Sequence, residues 1–195
     1  MTPPPGEVKL SNESLHRRFL DALGDAVVSH SEIEKKPLEV DLKCLLPPKL
    51  RVYMYNATFP PGGRTMGEHK IQLIVPGQGR GDCGNFDSSN GRVPLLVGYR
   101  SDLRIFILWD ADLYVDFSYS RNVQVKPETV YEAFAQGIGR EKRKLKGNLK
   151  EKVNGNERRN FLTHTEELVV SADAIHLRQA ILERQQETLK RLLGK

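Results

Sequence analysis

Apolar and polar positions alternate through the middle of the chain, and that alternation predicts strands. The runs 50–56, 68–75, 94–99, 104–110 and 122–126 are rich in Val, Ile, Leu, Tyr and Phe, and clusters of Gly, Pro, Asn and Asp separate them. In the second run His69, Ile71, Leu73 and Val75 fall on one face and Glu68, Lys70 and Gln72 on the other. In the first, Val52 and Met54 oppose Arg51, Tyr53 and Tyr55, which reads as a half-buried strand with its tyrosine hydroxyls in solvent. A segment at 165–170, TEELVV, reads as an edge or closing strand.

Helical spacing frames this sheet. Leu15, Phe19, Ala22, Leu23, Ala26 and Val27 recur at one face behind Ser11 or Asn12 as cap, with Gly24 weakening the far end. Pro127 opens a second helix bearing Val130, Tyr131 and Phe134, and Gly137 and Gly139 stop it. Ser171 is placed to cap a third over 172–193, where Ile175, Leu182 and Leu189 recur every seven residues with Ile181 and Leu192 beside them. Arg178 and Gln185 occupy the other seam, so this helix is expected to pack on its own domain. The reading is an α+β protein: a curved, mostly antiparallel sheet or pseudobarrel over about 48–126, flanked by an N-terminal and a C-terminal helix. Its parts are a disordered tail at 1–10, a core domain with the first helix at 11–139, a basic linker at 140–160, and a closing strand and helix at 161–195.

Charge changes the picture once it is located. Of the net +5, the stretch from Arg140 to Arg159 holds nine basic residues against three acidic, a local +6 beside a remainder near −1. Such a segment is either a solvated linker or an arm that binds a polyanion by releasing its counterions. No run approaches the ~20 apolar residues of a membrane helix, and the N-terminal ten residues lack the apolar stretch of a secretory signal, so a cytoplasmic protein is expected. Cys44 and Cys83 are read as reduced thiols, and the five histidines lack zinc spacing.

Candidate chemistry concentrates in the strands and their loops. The glycine-rich loop 76–92 contains a literal G-x-G-x-x-G at Gly79, Gly81 and Gly84, but turn residues follow where a helix would have to start, and G-K-[ST] is absent. No nucleotide cofactor is expected. Asp110 and Asp112 could hold a divalent ion at a strand end, though solvated acids are the commoner arrangement. Glu68-His69-Lys70 matches the E-x-K half of a PD-(D/E)-x-K nuclease, in which Glu68 would help hold Mg²⁺ and Lys70 would orient the attacking water. The upstream acid such a site needs is missing between Asp41 and Glu68, which leaves only Glu39 or Asp41 across a long loop. The competing reading is recognition. Arg51, Asn56, Arg64, Lys70, Gln72, Gln78, Arg80, Arg92, Arg100, Arg121 and Asn122 are the residue types that contact base edges and phosphates, spread over one β-rich unit.

The run RVYMYNATFPPGG…GEHKIQLIVPGQ…GRVPLLVGY…FILWDADLYVDFSYSRNVQV resembles a bacterial family found with restriction–modification loci. Its layout is similar to the EcoRII-type effector pseudobarrel shared with plant B-three transcription factors. The resemblance implies a seven-stranded open barrel that grips the major groove of duplex DNA with two arms and reads sequence through loop residues. A protein of that kind would serve a defence system beside a separate methyltransferase or nuclease, and the C-terminal helix is the natural dock for such a subunit. A non-catalytic protein-interaction subunit is the third reading.

Overall fold

The computed structural model describes residues 9–43, 47–58, 69–145, 149–153, 156–160 and 165–194, the backbone alone between 149 and 165. In chain order the elements are α1 (Asn12–Leu23), β1 (Val27–His30), β2 (Leu38–Leu42), β3 (Lys49–Asn56), β4 (His69–Leu73), β5 (Cys83–Gly84), β6 (Val93–Arg100), β7 (Ile105–Trp109), β8 (Phe117–Ser118), β9 (Arg121–Val125), α2 (Pro127–Gln136), β10 (Ile138–Leu145), β11 (Leu149–Val153), β12 (Asn156–Asn160), β13 (Thr165–Ala172) and α3 (Leu177–Leu192).

Seven strands form one sheet in the order β1-β2-β3-β6-β7-β13-β10. Its pairings are antiparallel except β3 with β6. This is the mixed α+β architecture the periodicity predicts, but the sheet stays open. Its edges, β1 and β10, do not pair with each other, so the sheet is not closed into a barrel. A parallel pair cannot be joined by a tight turn. The connection from β3 to β6 therefore carries β4 and β5 out of the sheet, where they pair with β9 and β8 in two-stranded ribbons.

Apolar residues cover both faces of the sheet. On one, Val52, Met54, Leu95, Val97, Phe106, Leu108 and Val170 pack with Leu15, Phe19 and Leu23 of α1 and Leu177, Ala180 and Ile181 of α3. On the other, Tyr53, Tyr55, Leu96, Ile107, Trp109 and Val169 pack with Ile71, Leu73, Val123 and Val125 of the β4–β9 ribbon and Val130 and Ala133 of α2. Each large apolar side chain removed from water contributes roughly 1.5–3 kcal/mol, so each cover is held by several such contributions. Gly98 lets the ribbon close on the sheet, because a Cβ there would sit 2.8 Å from the Trp109 ring and 3.0 Å from Ile71.

The double cover corrects the reading of β3. Arg51, Tyr53 and Tyr55 are buried like their apolar neighbours, at 4%, 2% and 8% exposure. The Tyr53 hydroxyl accepts from the Asp87 amide at 3.0 Å, and that of Tyr55 donates to the Ile74 carbonyl at 3.1 Å. The segment TEELVV is not an edge, since β13 lies between β7 and β10 and pairs with both. Ser171 belongs to that strand and is buried, so it caps nothing. α3 begins only at Leu177, behind a turn in which Asp173 accepts from the His176 amide at 2.9 Å. Of the stretch expected as a basic linker, 140–145 belongs to the outer strand β10, and β11 and β12 pair antiparallel with each other. Residues 1–8 of the expected tail lie outside the described residues, whereas the backbone of Leu10 is held at both N–H and C=O by the Asn56 amide, each at 2.9 Å.

Candidate nucleic-acid interface

The β4–β9 ribbon follows from two short strands with period-two patterning. Lys70 pairs in register with Gln124, Gln72 with Asn122, and Ile71 with Val123. One face, His69, Ile71, Leu73, Val123 and Val125, is buried against the sheet. The opposite face presents Lys70, Gln72, Asn122 and Gln124, as a ladder of one ammonium and three carboxamides. Among the described residues none of these four is hydrogen-bonded through its side chain. Gln72 and Asn122, directly opposite each other, are exposed, and Lys70 and Gln124 are half-buried.

Three anchors fix the ribbon. Trp109 Nε1 donates to the Gln124 carbonyl at 3.0 Å, and Arg143 Nη1 donates to the same oxygen. The Arg143 guanidinium is gripped in turn by Glu167, Nε to Oε2 at 2.7 Å, and donates to the Tyr114 hydroxyl at 2.7 Å. Tyr114 Oη donates to the Glu167 carboxylate at 2.9 Å. Burial raises the Glu167 pKa, and the Arg143 charge opposes that rise. The third anchor is His69, fully buried at the start of β4, with Arg100 Nη1 3.3 Å from its Nδ1. Burial first, and the Arg100 charge second, lower this imidazole to about 4.

The far end of the ribbon meets the glycine-rich loop. Gln78 holds that loop, its carbonyl accepting from the Val75 amide at 3.2 Å and its amide donating to the carbonyls of Asp82 at 3.1 Å and Phe117 at 3.2 Å. Arg80 is exposed on the loop, and the Arg121 guanidinium lies 5.2 Å from the Tyr114 ring centre.

Of the eleven residues proposed from sequence to contact nucleic acid, the ribbon brings together Lys70, Gln72 and Asn122, with Arg121 and Arg80 at its end. Five others are used inside the fold. Arg51 is ion-paired with Glu39 at 2.7 Å and with Asp87, and donates to Ser89 at 3.1 Å. Arg92 pairs with Asp41 at 2.9 Å and Glu39 at 3.1 Å. Arg100 donates to Asp102 at 2.5 and 2.8 Å and is 3% exposed. Asn56 clamps Leu10 and Gln78 holds its loop, as described. Arg64 lies outside the described residues, as does Glu68. Gln124 was missed, although it shares strand parity with Asn122, the one signal that could have found it.

These pairs bear on the nuclease reading. Glu39 and Asp41, the acids available upstream of Glu68, are the partners of Arg51 and Arg92. Asp110 is neither solvated nor placed for a metal: it is 3% exposed and ion-paired with Arg184 at 2.9 Å and Arg191 at 3.3 Å, which docks α3. Among the described residues no group of three His, Cys, Asp or Glu could hold a metal ion, and no helix is long and apolar enough to cross a membrane. Beside α3, at the ends of β6 and β7, lies a cleft of 330 Å³ lined by Pro94, Trp109, Asp112 and Leu189 among others.

Comparison with known proteins gives one match. No curated protein and no solved structure matches the chain. A family described as methylase-associated X1 matches residues 48–169, from the approach to β3 into β13. The match takes in the whole ribbon, its anchors and α2, and it ties the protein to methylases, in keeping with the restriction–modification setting that the sequence resembles. Since it covers well over half of the 195 residues, the chain belongs to the methylase-associated X1 family.

Proposed function

We propose that this protein recognises duplex DNA through the outer face of the β4–β9 ribbon, as the reading subunit beside a methyltransferase of a restriction–modification system. The observation that carries the proposal is the ladder of Lys70, Gln72, Asn122 and Gln124, which leaves its donors and acceptors unused on one face while the other face is locked to the core. A two-stranded ribbon fits the major groove, which is about 12 Å wide. Asn and Gln carboxamides there match the N6/N7 edge of adenine, and Lys matches the O6/N7 edge of guanine, each good contact giving about 1–3 kcal/mol of discrimination. Arg80 and Arg121 at the ribbon end are positioned for phosphates, which orient the protein without specifying sequence. The family's association with methylases supports a partner that supplies the chemistry.

The test is selection from a pool of random duplexes, unmethylated and methylated, at moderate salt in EDTA, followed by sequencing of what is retained. The protein is expected to enrich a motif. The Gln72→Ala/Asn122→Ala variant is expected to lose about 10-fold or more discrimination at the contacted pairs while keeping salt-dependent binding. Enrichment of the same motif by both proteins, or none by either, refutes ribbon readout. Adding Mg²⁺ to the retained complexes tests cleavage by Glu68 and Lys70 in the same samples.

A further inference from the structure

The strand that holds the ribbon through Arg143 is also an open edge of the sheet. Among the described residues β10 pairs with β13 alone, from Ile138↔Ala172 to Leu145↔Thr165. Two bonds fix which way its backbone points. The Gly137 carbonyl accepts from the Asp173 amide at 3.0 Å, so the odd-numbered positions turn toward the chain of β13. The Arg140 amide instead donates to Glu132 Oε2 of α2 at 3.4 Å, away from β13. In an antiparallel strand alternate residues send N–H and C=O to the same side, so Lys142 and Lys144 also present both groups outward. Among the described residues nothing takes those groups. Such a row is a template for another strand.

Helix α2 makes this edge one wall of a groove. Gly139 lets the helix lie directly on the strand, since a side chain there would collide with the Thr129 carbonyl. Between α2 and β10 a groove of 550 Å³ is lined by Glu128, Glu132, Arg140 and Lys142 among others. An open edge beside a helix receives an extended segment, whose main chain bonds the edge and whose side chains give specificity. Charge decides which segment fits. Arg140, Lys142 and Lys144 are exposed on one face of β10. Arg140 is ion-paired with Glu183 at 2.7 Å. Lys142 stands opposite Leu168 and Lys144 opposite Glu166, yet among the described residues neither lysine is ion-paired. A second copy of β10 is a poor occupant, because antiparallel pairing sets Lys142 against Lys142 and Arg140 against Lys144, and like charges directly opposite are destabilising. A phosphate diester would pair the ammoniums but only accepts, which leaves the outward carbonyls unused. An extended peptide with Asp or Glu at alternate positions satisfies both the backbone and the lysines.

We infer that the β10 edge is a docking seat for an extended acidic segment of a partner protein, which adds a further strand to the sheet and sets Asp or Glu opposite Lys142 and Lys144. The inference does not depend on ribbon readout. It gives a member of a methylase-associated family a place to hold a second protein. The edge cations then have one consistent use: they block pairing between copies and select a partner strand of opposite charge.

The experiment pans a displayed library of random peptides on the immobilised full chain and sequences what is retained. Segments with Asp or Glu at every second position are expected to be enriched. The most enriched segment, made as a fluorescent peptide, is then titrated against the unaltered chain and two variants by anisotropy. Lys142→Pro deletes one outward N–H and keeps the strand, because proline is tolerated where an edge N–H faces solvent. It should weaken binding about 3-fold or more and retain a cooperative urea transition. Lys142→Glu/Lys144→Glu reverses the charges, so it should reject the peptide and accept the counterpart with Lys in place of the acids, a switch that misfolding cannot produce. No enrichment, or enrichment of acids without the two-residue period, overturns the seat. So does equal binding of the peptide by the unaltered chain and both variants. An empty library together with duplex DNA affinity lost in Lys142→Glu/Lys144→Glu assigns the cations to DNA and overturns the seat as well. None of these results bears on ribbon readout, which Gln72→Ala/Asn122→Ala tests separately.

Discussion

Acidification tests how the ribbon is held to the sheet, and His69 sets the size of the effect. The ring is fully buried, and Arg100 Nη1 approaches its Nδ1 at 3.3 Å. A guanidinium only donates, so Nδ1 must accept, and the imidazole is neutral with its proton on Nε2. Its pKa is lowered to about 4 from 6.5 by burial and then by the Arg100 charge. The unfolded chain takes up this proton near pH 6.5 and the folded chain only near pH 4. Proton uptake thus favours unfolding between those values, and the stability present above pH 6.5 is lost as pH falls through the window. With these two pKa values the loss at pH 4.5 is about 2.5 kcal/mol. His16, also buried with a lowered pKa, adds a loss of the same sign, so the informative quantity is a difference between proteins. His69→Leu fills the site without titrating. It leaves Arg100 paired with Asp102, at a cost of about 1–3 kcal/mol at pH 7 for the acceptor removed. Urea unfolding followed by the fluorescence of Trp109, the chain's single tryptophan, reads both proteins. The stability gap between them should shrink or invert by about 2.5 kcal/mol from pH 7 to pH 4.5. An equal gap at the two pH values would refute the assignment of a neutral, proton-resistant His69.

Two further outcomes separate fold from function. Arg51→Ala removes a buried guanidinium whose partners Glu39 and Asp87 keep access to water, so it should cost about 1–3 kcal/mol in urea unfolding and leave DNA affinity of the folded protein unchanged; a selective loss of DNA binding at full stability would return Arg51 to the interface. Asp110→Ala strands Arg184 in the core and should cost about 3–5 kcal/mol, and Asp110→Ala/Arg184→Met should cost less than that single change, as thermal and urea unfolding will show.

Strands with strict alternation were legible in the sequence, and so were helices with caps at both ends. The Pro127 start and Gly137 stop of α2 match its bounds, Pro127–Gln136; Ser11, one of the two caps expected, caps α1, but α1 ends at Leu23 under Gly24, short of Ala26 and Val27, the latter of which opens β1. What the sequence hid was pairing. Leu38–Leu42 alternates buried and half-buried positions, yet it is only five residues long and stands shortly before Pro47 and Pro48, so the sequence does not mark it as a strand. Without β2, the register Glu39↔Arg51 could not be seen, and Arg51 looked free for DNA while Glu39 looked free for a metal. The same blindness made Arg92, Arg100 and Gln78 candidates. Arg and Asn/Gln serve internal ion pairs and loop closure as readily as base edges, and composition does not distinguish the two uses. The ribbon face was legible because a two-residue period needs no knowledge of the partner strand: Lys70 and Gln72 were placed opposite His69, Ile71 and Leu73 from sequence, and the burial of the latter three agrees.

The extent of the family match gives this division of labour a direction. Residues 48–169 include β3, β4, β6, β7, β9, α2 and the whole β10–β12 stretch, but neither α1 nor α3. The two helices left out are the ones that cover the first face of the sheet through Leu15, Phe19, Leu177 and Ile181. Such a cover needs apolar area and little else, and volume-conserving apolar changes there are tolerated. The second face has no such latitude. Its cover must hold the Gln124 carbonyl from two sides, through Trp109 and Arg143, and keep His69 neutral. Each of those requirements fixes a residue type at a position, which is the kind of constraint a family description can capture. The matched segment also holds the ribbon face on which the proposed DNA contact lies.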